Sequence, residues 1–409
     1  MSQPSSPNAL TTLGATAMPP PTHPERRVDL DWLRIAAFGL LIFYHVGMFY
    51  VTWGFHVKSS RAGPEIEPLM LLLNPWRLTL LFLISGVATR FMLDKMRPGR
   101  FLGARSSRLL IPLAFGILVI VPPQSYFQIV EALGYSGSVA DFYRHYITAS
   151  GDWRPGGEYL VTPTYNHLWF VLYLFIYSLL VIPVGPLLKR LPAGLTAPLI
   201  SGPFLILTPL LFLFVIRATL FPLFGETHAL IDDWYNHLLS FTAFLFGYAV
   251  ARHEPFFEAC QRARIPALIL AIIAWAVLVS VRYGGLGGAA LTGPDFTLVS
   301  VGLRELQAWC AIVACIGFAR RYLRRDGPVR RYLTDAIFPF YIIHQTTIVI
   351  AGHYLDPIQL PLWIEAPVLI AITIGSCWIG YEIVRRVGVL RPLFGLKMEP
   401  KRIIAPAAA

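Results

Sequence analysis

The sequence predicts an all-α polytopic membrane protein of about ten transmembrane helices with both termini cytoplasmic. Three observations carry that expectation. Of 409 residues, 56% are hydrophobic and only 14% charged, where a soluble chain holds roughly a quarter charged residues, and the mean hydropathy is +0.59. The apolar runs reach the about 20 residues that a spanning helix needs, and they lack the polar–apolar alternation of a transmembrane barrel. Finally, Lys and Arg are shared unevenly between alternate loops.

Helices are expected over 30–51, 68–89, 109–127, 167–187, 196–216, 236–252, 265–281, 299–319, 334–352 and 365–384. With the N-terminus inside, the inner segments hold twenty-five of the 34 Lys and Arg, and the outer loops hold six: Lys58, Arg61, Arg144, Arg154, Arg217 and Arg282. Basic residues favour the cytoplasmic side of a span. The net charge of +11 is therefore a topology signal, membrane lipid is the expected surrounding, and no nucleic-acid partner is implied. Residues 1–25 are rich in Ser, Pro and Thr with no apolar core, which predicts a disordered cytoplasmic tail and no secretory signal. The membrane domain runs over 26–400 and a short tail over 401–409. These features place the chain, as a multi-pass protein, in a bacterial-type inner membrane. Of the cysteines, Cys310, Cys315 and Cys377 fall in expected helices and Cys260 in an inner loop, so neither a disulfide framework nor a metal motif is indicated.

The first helix reads RRVDLDWLRIAAFGLLIFYHVGMFYV and carries Asp31, Arg34 and His45 on an apolar background. Ionisable groups in a span are costly and face a polar cavity or a partner. Eleven residues at 100° each bring Arg34 and His45 within about 20° of one helix face, roughly 16 Å apart along the axis. Asp31 and Arg34 are neighbours at i,i+3. The bland alternative is that Arg34 snorkels to inner headgroups beside Asp31 while His45 makes one interhelical hydrogen bond.

The second helix, NPWRLTLLFLISGVATRFML, holds Arg77 inside its apolar run, and the following inner segment holds Arg90, Lys95, Arg97, Arg100, Arg105 and Arg108. Most of that run reads as a topology determinant. The Arg105-Ser-Ser-Arg108 pair is more specific, because two guanidinium forks on one face suit the phosphates of a nucleotide-type donor. Further along, the outer loop 128–166 is the longest structured one and fits a lid, an acceptor surface or a packed connection. Asp233, Trp234 and the following His237 suit sugar contacts, although Trp and Tyr also mark membrane interfaces. His167 and Trp169 stand at the outer mouth of the fourth helix. Trp169 fits either a sugar-stacking platform or a member of the interfacial aromatic belt. Tyr341 and His344 share a face of the ninth helix at i,i+3, with Gln345 beside them. The remaining histidines, His56, His145, His228, His253 and His353, fall in loops and receive no role.

In order along the chain, LDWLR with His45 following Arg34 at an Arg-X10-His spacing, LFLISG, RSSRLLIP, His167-Leu-Trp-Phe and PFYIIHQ resemble the acyltransferase-3 family of membrane enzymes. WRLTLLFLISG, DWYNH and the terminal RPLFGLK bring the chain closest to a glucan-related branch. The resemblance spans about residues 26–400. It implies an enzyme of the group transferring acyl groups other than aminoacyl, acetyl or succinyl here, from cytoplasmic acyl-CoA to an extracytoplasmic glycan hydroxyl. Acyl-CoA is then a co-substrate, with no bound cofactor and no metal. The family's first-helix motif falls on Arg34 and His45 with Asp31 before it, and its RxxR motif on Arg105 and Arg108. Trp32 and Ile35 replace a smaller residue and a Gly of many members, and the additional C-terminal hydrolase-like domain of some members is lacking.

Together these readings assign Arg34, Arg105 and Arg108 to the anionic part of the donor. His45 is assigned as the base, with Asp31 orienting Arg34, and Arg77 as partner of a carboxylate or oxyanion. Tyr341 and His344 support the cavity. His167, Trp169, Asp233, Trp234 and His237 are the acceptor-side candidates, while Arg304 and Glu305 read as a structural pair. Two other readings remain: a secondary transporter or flippase of an anionic or lipid-linked substrate, and an acyltransferase with a lipid or small-molecule acceptor.

Overall fold

The structure, a computed structural model, describes residues 27–190, 198, 201–283 and 294–398; the tails expected over 1–25 and 401–409 lie outside the described residues. In chain order the helices are α1 (Val28–Tyr50), α2 (Glu67–Leu93), α3 (Pro98–Phe115), α4 (Pro122–Leu133), α5 (Val139–Ile147) and α6 (Trp169–Lys189). They continue as α7 (Phe204–Phe224), α8 (Trp234–Val250), α9 (Glu254–Arg282), α10 (Pro294–Tyr322), α11 (Pro328–Leu355) and α12 (Leu362–Arg386). No strand occurs among the described residues. Nine spans among the described residues are long and apolar enough to cross a membrane, α3 and α4 forming one of them as Pro98–Leu133. The 17-residue α8 falls just short by length, yet it joins the two ends of the bundle like its neighbours. The protein is thus an all-helical, multi-pass membrane protein.

Each expected helix has a counterpart, and the shifts have physical causes. The third was expected over 109–127 but starts at Pro98, because the basic stretch that reads as a loop is a helix projecting past the apolar core. Pro122 and Pro123 remove two N–H groups, and the chain answers with a π turn over Gly116–Ile120 rather than ending. Its carbonyls find side-chain donors: Tyr146 Oη to Ile117 O at 2.9 Å, Tyr143 Oη to Leu118 O at 2.8 Å and Thr346 Oγ1 to Ile120 O at 2.7 Å. The fifth helix, expected over 196–216, is α7, which places Arg217 inside a helix rather than a loop. The seventh begins at Glu254, so Cys260 is helical and buried, and all four cysteines are free thiols. His145 and His353 likewise lie on α5 and α11.

The bundle has two ends of different chemistry. At one, Arg27 and Arg320 both reach Glu254, Trp32 Nε1 donates to Arg325 O at 3.0 Å, and Arg330 contacts Asp31 at 2.6 Å. The first and last described segments both lie at this basic end, with Phe394 against Phe115 of α3. At the other end, Glu365 accepts from Tyr50 and Arg61, and Glu67 accepts from Thr52 and, at 2.5 Å, from Tyr283. Lys58 Nζ donates to Met48 O at 2.6 Å and Trp53 O at 2.8 Å, satisfying carbonyls that the end of α1 leaves open. Inside the bundle, α2 and α8 touch backbone to backbone. A Cβ at Gly86 would strike the Phe244 carbonyl, and one at Gly247 the Leu83 carbonyl. Small residues allow such an approach in membrane bundles.

Asp94, just past α2, gathers three helices at the basic end. Arg90 lies 3.1 Å away, Lys189 of α6 2.7 Å and Arg252, just beyond α8, 2.7 Å. Burial alone would raise its pKa, but the bonds from Lys189, Arg252 and Arg90 hold it at about 2. Its stabilising effect is therefore present above the ordinary carboxylate pKa and fades as pH falls from about 4 towards 2. Asp94→Asn is expected to cost about 1–2 kcal/mol at neutral pH after solvent screening. The expected readout is a lower melting temperature in detergent, and the difference from wild type should shrink at the acid end of that window.

Candidate active site

His45 sits in the half of α1 away from the basic end, half-buried on one wall of a cavity of about 950 Å³. Its Nδ1 lies 2.8 Å from Nε2 of His344, a fully buried residue on α11. His344 Nδ1 in turn lies 2.7 Å from the carbonyl oxygen of Tyr341. A carbonyl only accepts, so His344 Nδ1 carries the proton and its Nε2 accepts. His45 Nδ1 must then be the donor, which leaves the lone pair on His45 Nε2 as the free one. Two hydrogen bonds thus fix the tautomer of a histidine bordering the cavity.

Arg77 reaches the same cavity from α2. Its guanidinium lies 3.5 Å over the ring of Tyr44, a cation–π contact worth up to about 2 kcal/mol when desolvated. The arginine is 4% exposed, and its Nε and Nη1 have no hydrogen-bond partner among the described residues. Buried donors left unpaired are costly, and Arg77 also borders the cavity, so its charge acts on whatever enters there. Asn74 braces the arrangement, donating to Tyr44 Oη at 2.7 Å and accepting from Arg304 at 3.2 Å.

The cavity opens among residues of the end opposite the basic one, including Trp53, His56, Pro155 and His228, and bottoms on Phe38, Phe170 and Tyr341. These three rings touch in a triangle: Phe38–Tyr341 5.5 Å, Phe38–Phe170 6.2 Å and Phe170–Tyr341 6.3 Å between centroids. They form a septum. One turn of α1 beyond it lies Arg34, on the basic side. Arg34 and Asp31 are 3.6 Å apart, and Arg105 is close enough to Arg34 and Arg108 to feel both charges. Arg105 is buried and bonded to Thr89 of α2, with its Nε unpartnered, whereas Arg108 is exposed. The basic cluster is therefore assembled but stands apart from the His45 cavity.

The acceptor-side candidates separate. Trp169 lines the cavity, its ring 4.3 Å from that of His228. His167 also touches it, but deep rather than at the mouth. Gln124 Nε2 lies 3.3 Å from its Nδ1 and the Ile342 carbonyl 3.2 Å from its Nε2. Asp233, Trp234 and His237 do not line the cavity. Asp233 is completely buried and accepts from Tyr173 at 2.6 Å, Asn236 at 2.9 Å and the Thr227 amide at 3.1 Å. His237 spans Tyr177 and the Leu230 carbonyl, and Trp234 is exposed. That run folds the loop between α7 and α8 onto α6 and α8. Arg304 and Glu305 do not join as a simple pair either. Arg304 bonds Asn74, while Glu305 lies 3.7 Å from Arg217, which also receives Glu226 at 3.8 Å.

Several residues escaped the sequence reading. Gln124 is fully buried and accepts from both Asn166 and Gln345 at 3.1 Å while donating to Thr346 at 2.7 Å, tying α4 to α11 behind the histidines. A glutamine inside an apolar run was the available signal. Arg330, 1% exposed, shares Asp31 with Arg34. His56 and His228 come from loops to the cavity rim. Burial lowers the pKa of both, against the Gln128 bond at His56 and the charges of Glu226 and Asp233 at His228, which favours neutral rings at physiological pH. Among the described residues no cluster of three or more His, Cys, Asp or Glu side chains is arranged to hold a metal ion.

Comparison with known proteins gives a consistent picture. The acyltransferase-3 family model, described as an acyltransferase domain, matches residues 27–382. The chain is also similar to proteins named glucans biosynthesis protein C from Escherichia coli O139:H28 and from Escherichia coli strain K12. Both are 23% identical over 399 residues, covering 93% of this chain and 97% of theirs. No solved structure matches the chain.

Proposed function

The chain belongs to the acyltransferase-3 family, whose domain covers residues 27–382, and from that premise we propose that it moves an acyl group, acetyl or succinyl, from cytoplasmic acyl-CoA to a hydroxyl of an extracytoplasmic glycan. That it is a membrane acyltransferase follows from the family and the nine candidate spans; the donor, the acceptor, the sidedness and an inner-membrane location are the proposal. The basic end faces the cytoplasm by the distribution of Lys and Arg. The name of the relatives supports a glucan as the acceptor.

The observation that carries the reading is the free lone pair of His45 Nε2 in a cavity open at the outer end, beside the unpartnered N–H groups of Arg77. A sugar hydroxyl entering from outside meets a base whose tautomer is already set. His45 Nε2 takes the hydroxyl proton as the oxygen attacks the thioester carbon. The carbonyl oxygen gathers negative charge, and the guanidinium charge of Arg77 on the cavity wall stabilises it. Collapse breaks the carbon–sulfur bond, and the leaving thiolate takes the proton from His45. A dicarboxylic acyl group would draw on the same arginine, while an acetyl group leaves it to the oxyanion alone. Asp31, which Arg330 also bonds, holds Arg34 towards the donor.

The phosphates of CoA belong with Arg34, Arg105 and Arg108 on the far side of the septum. The thioester therefore reaches His45 by parting Phe38, Phe170 and Tyr341, and in the resting state the rings keep water from the outer cavity away from the donor. Arg105→Ala with Arg108→Ala is expected to weaken acyl-CoA binding at least about tenfold, since charge-assisted bonds to phosphate are lost, while the acceptor KM stays unchanged. Equal donor affinity in wild type and double variant removes the phosphate assignment.

The function itself is tested by mass spectrometry of cell-envelope glycans with and without the gene. An acyl mass lost from a glycan on deletion supports the reading and names the acyl group. Unchanged glycans together with an altered lipid or small molecule would reassign the acceptor.

A further inference from the structure

A second cavity, of about 590 Å³, lies on the opposite flank of α2 and shares no residue with the first. Its volume is within the roughly 300–1,000 Å³ of ordinary ligand sites. Its origin is the close approach of α2 and α8. Because Gly86 and Gly247 let those backbones touch, α8 sinks into the bundle and its outward face becomes the floor of a groove. The end of α6 and the face of α7 form the walls, and Trp309 of α10 lies at the back. The lining is apolar along most of its length, with Phe212, Leu239 and Phe246 among it, and becomes cationic at the basic end, where Arg90, Lys189 and Arg252 stand.

We propose that this groove holds one acyl chain of an anionic phospholipid from the leaflet at the basic end, with its phosphate on Lys189 and Arg252. The chemistry of the two parts selects that ligand. An apolar trough suits a hydrocarbon tail, and the rim is set at headgroup depth. Three cations, Arg90, Lys189 and Arg252, face the single carboxylate of Asp94, so the rim retains positive charge with Asp94 fully ionised. Lys189 and Arg252 are the more exposed of the three, their side chains 35% and 47% accessible. Both are therefore open to a second anion. A zwitterionic headgroup would cancel its own phosphate beside this rim, and a neutral one would leave the surplus charge unmet. The groove does not serve the acyl-transfer cavity, since Thr79 and Arg77 point to opposite flanks of α2. Its lipid is a resident of the fold that wedges α6, α7 and α8 together.

The test uses the full chain purified in detergent, with phosphatidylglycerol and phosphatidylcholine of identical acyl chains as probes, read by native mass spectrometry. Wild type is expected to retain one phosphatidylglycerol, bound at least about tenfold more tightly than phosphatidylcholine, and to melt at a higher temperature with it. Lys189→Gln with Arg252→Gln should abolish the preference, and Thr242→Phe with Ala249→Phe, which fills the trough without altering charge, should abolish retention of either lipid. A photoreactive benzoylphenylalanine replacing Phe212 should crosslink to phosphatidylglycerol. Crosslinking to residues 191–200 of the same chain, or to a second copy, would instead identify a protein occupant and overturn the proposal. Equal retention of both lipids in wild type and both double variants would overturn it as well.

Discussion

His45→Ala is expected to reduce acyl transfer on the order of 10²–10⁴-fold, the contribution of a positioned general base, while the protein still inserts and binds donor. Alanine also strips His344 Nε2 of its donor and leaves a buried acceptor unpaired, at about 1–3 kcal/mol, so lost activity alone would not separate chemistry from stability. His45→Asn makes the separation. Its side-chain amide falls near the former Nδ1 and can donate to His344 Nε2 as the imidazole N–H does, but it has no basic nitrogen. The asparagine variant should therefore melt close to wild type and remain as inactive as the alanine variant. Near-normal turnover in a folded His45→Asn protein would exclude His45 as the base.

The helical inventory was legible because each span leaves an apolar run of fixed length, and the polar residues of α1 and α2 stood out against it. The limits of α3 were not legible. Pro98 and the basic residues Arg100, Arg105 and Arg108 read as a loop, yet the chain is helical from Pro98, and it spends one π turn and three side-chain bonds to run on through Pro122 and Pro123. Asp233, Trp234 and His237 looked like sugar contacts because acidic and aromatic residues in an outer loop suit that role. Nothing in their order says that the chain turns Asp233 onto Tyr173 and Asn236 and His237 onto Tyr177, and leaves Trp234 exposed. The helical spacing of Arg34 and His45 correctly placed them on one face but did not reveal that Phe38, between them, meets rings from α6 and α11. In sequence Phe38 is one apolar residue among many; its meaning lies in Phe170 and Tyr341, which are more than a hundred residues away. The pairing of His45 with His344 was hidden for the same reason. Each histidine is visible as a polar residue in a span, and only the packing of α1 on α11 joins them.

That pairing sets the other large effect. His344 does not line the outer cavity; it acts on His45 by accepting the proton-bearing nitrogen. His344→Phe removes the acceptor and frees His45 to adopt the other tautomer, with its basic nitrogen directed away from the substrate. The expected result is a fall in kcat of about 10²-fold with little change in acceptor KM, because proton transfer and not binding is impaired. Glutamine and asparagine at the same position discriminate the cause. A glutamine amide there would fall where the ring Nε2 was and can accept from His45, whereas the shorter amide of asparagine falls near the former Nδ1 and cannot reach. His344→Gln should thus recover most of the lost kcat, and His344→Asn should not, although asparagine and glutamine differ by a single methylene. A simple packing role predicts a different order, with phenylalanine, which alone of the three keeps a planar ring in the site, as the mildest change. The rank of the three variants in kcat, with melting temperatures measured alongside, therefore decides whether His344 sets the tautomer of His45 or only fills the space behind it.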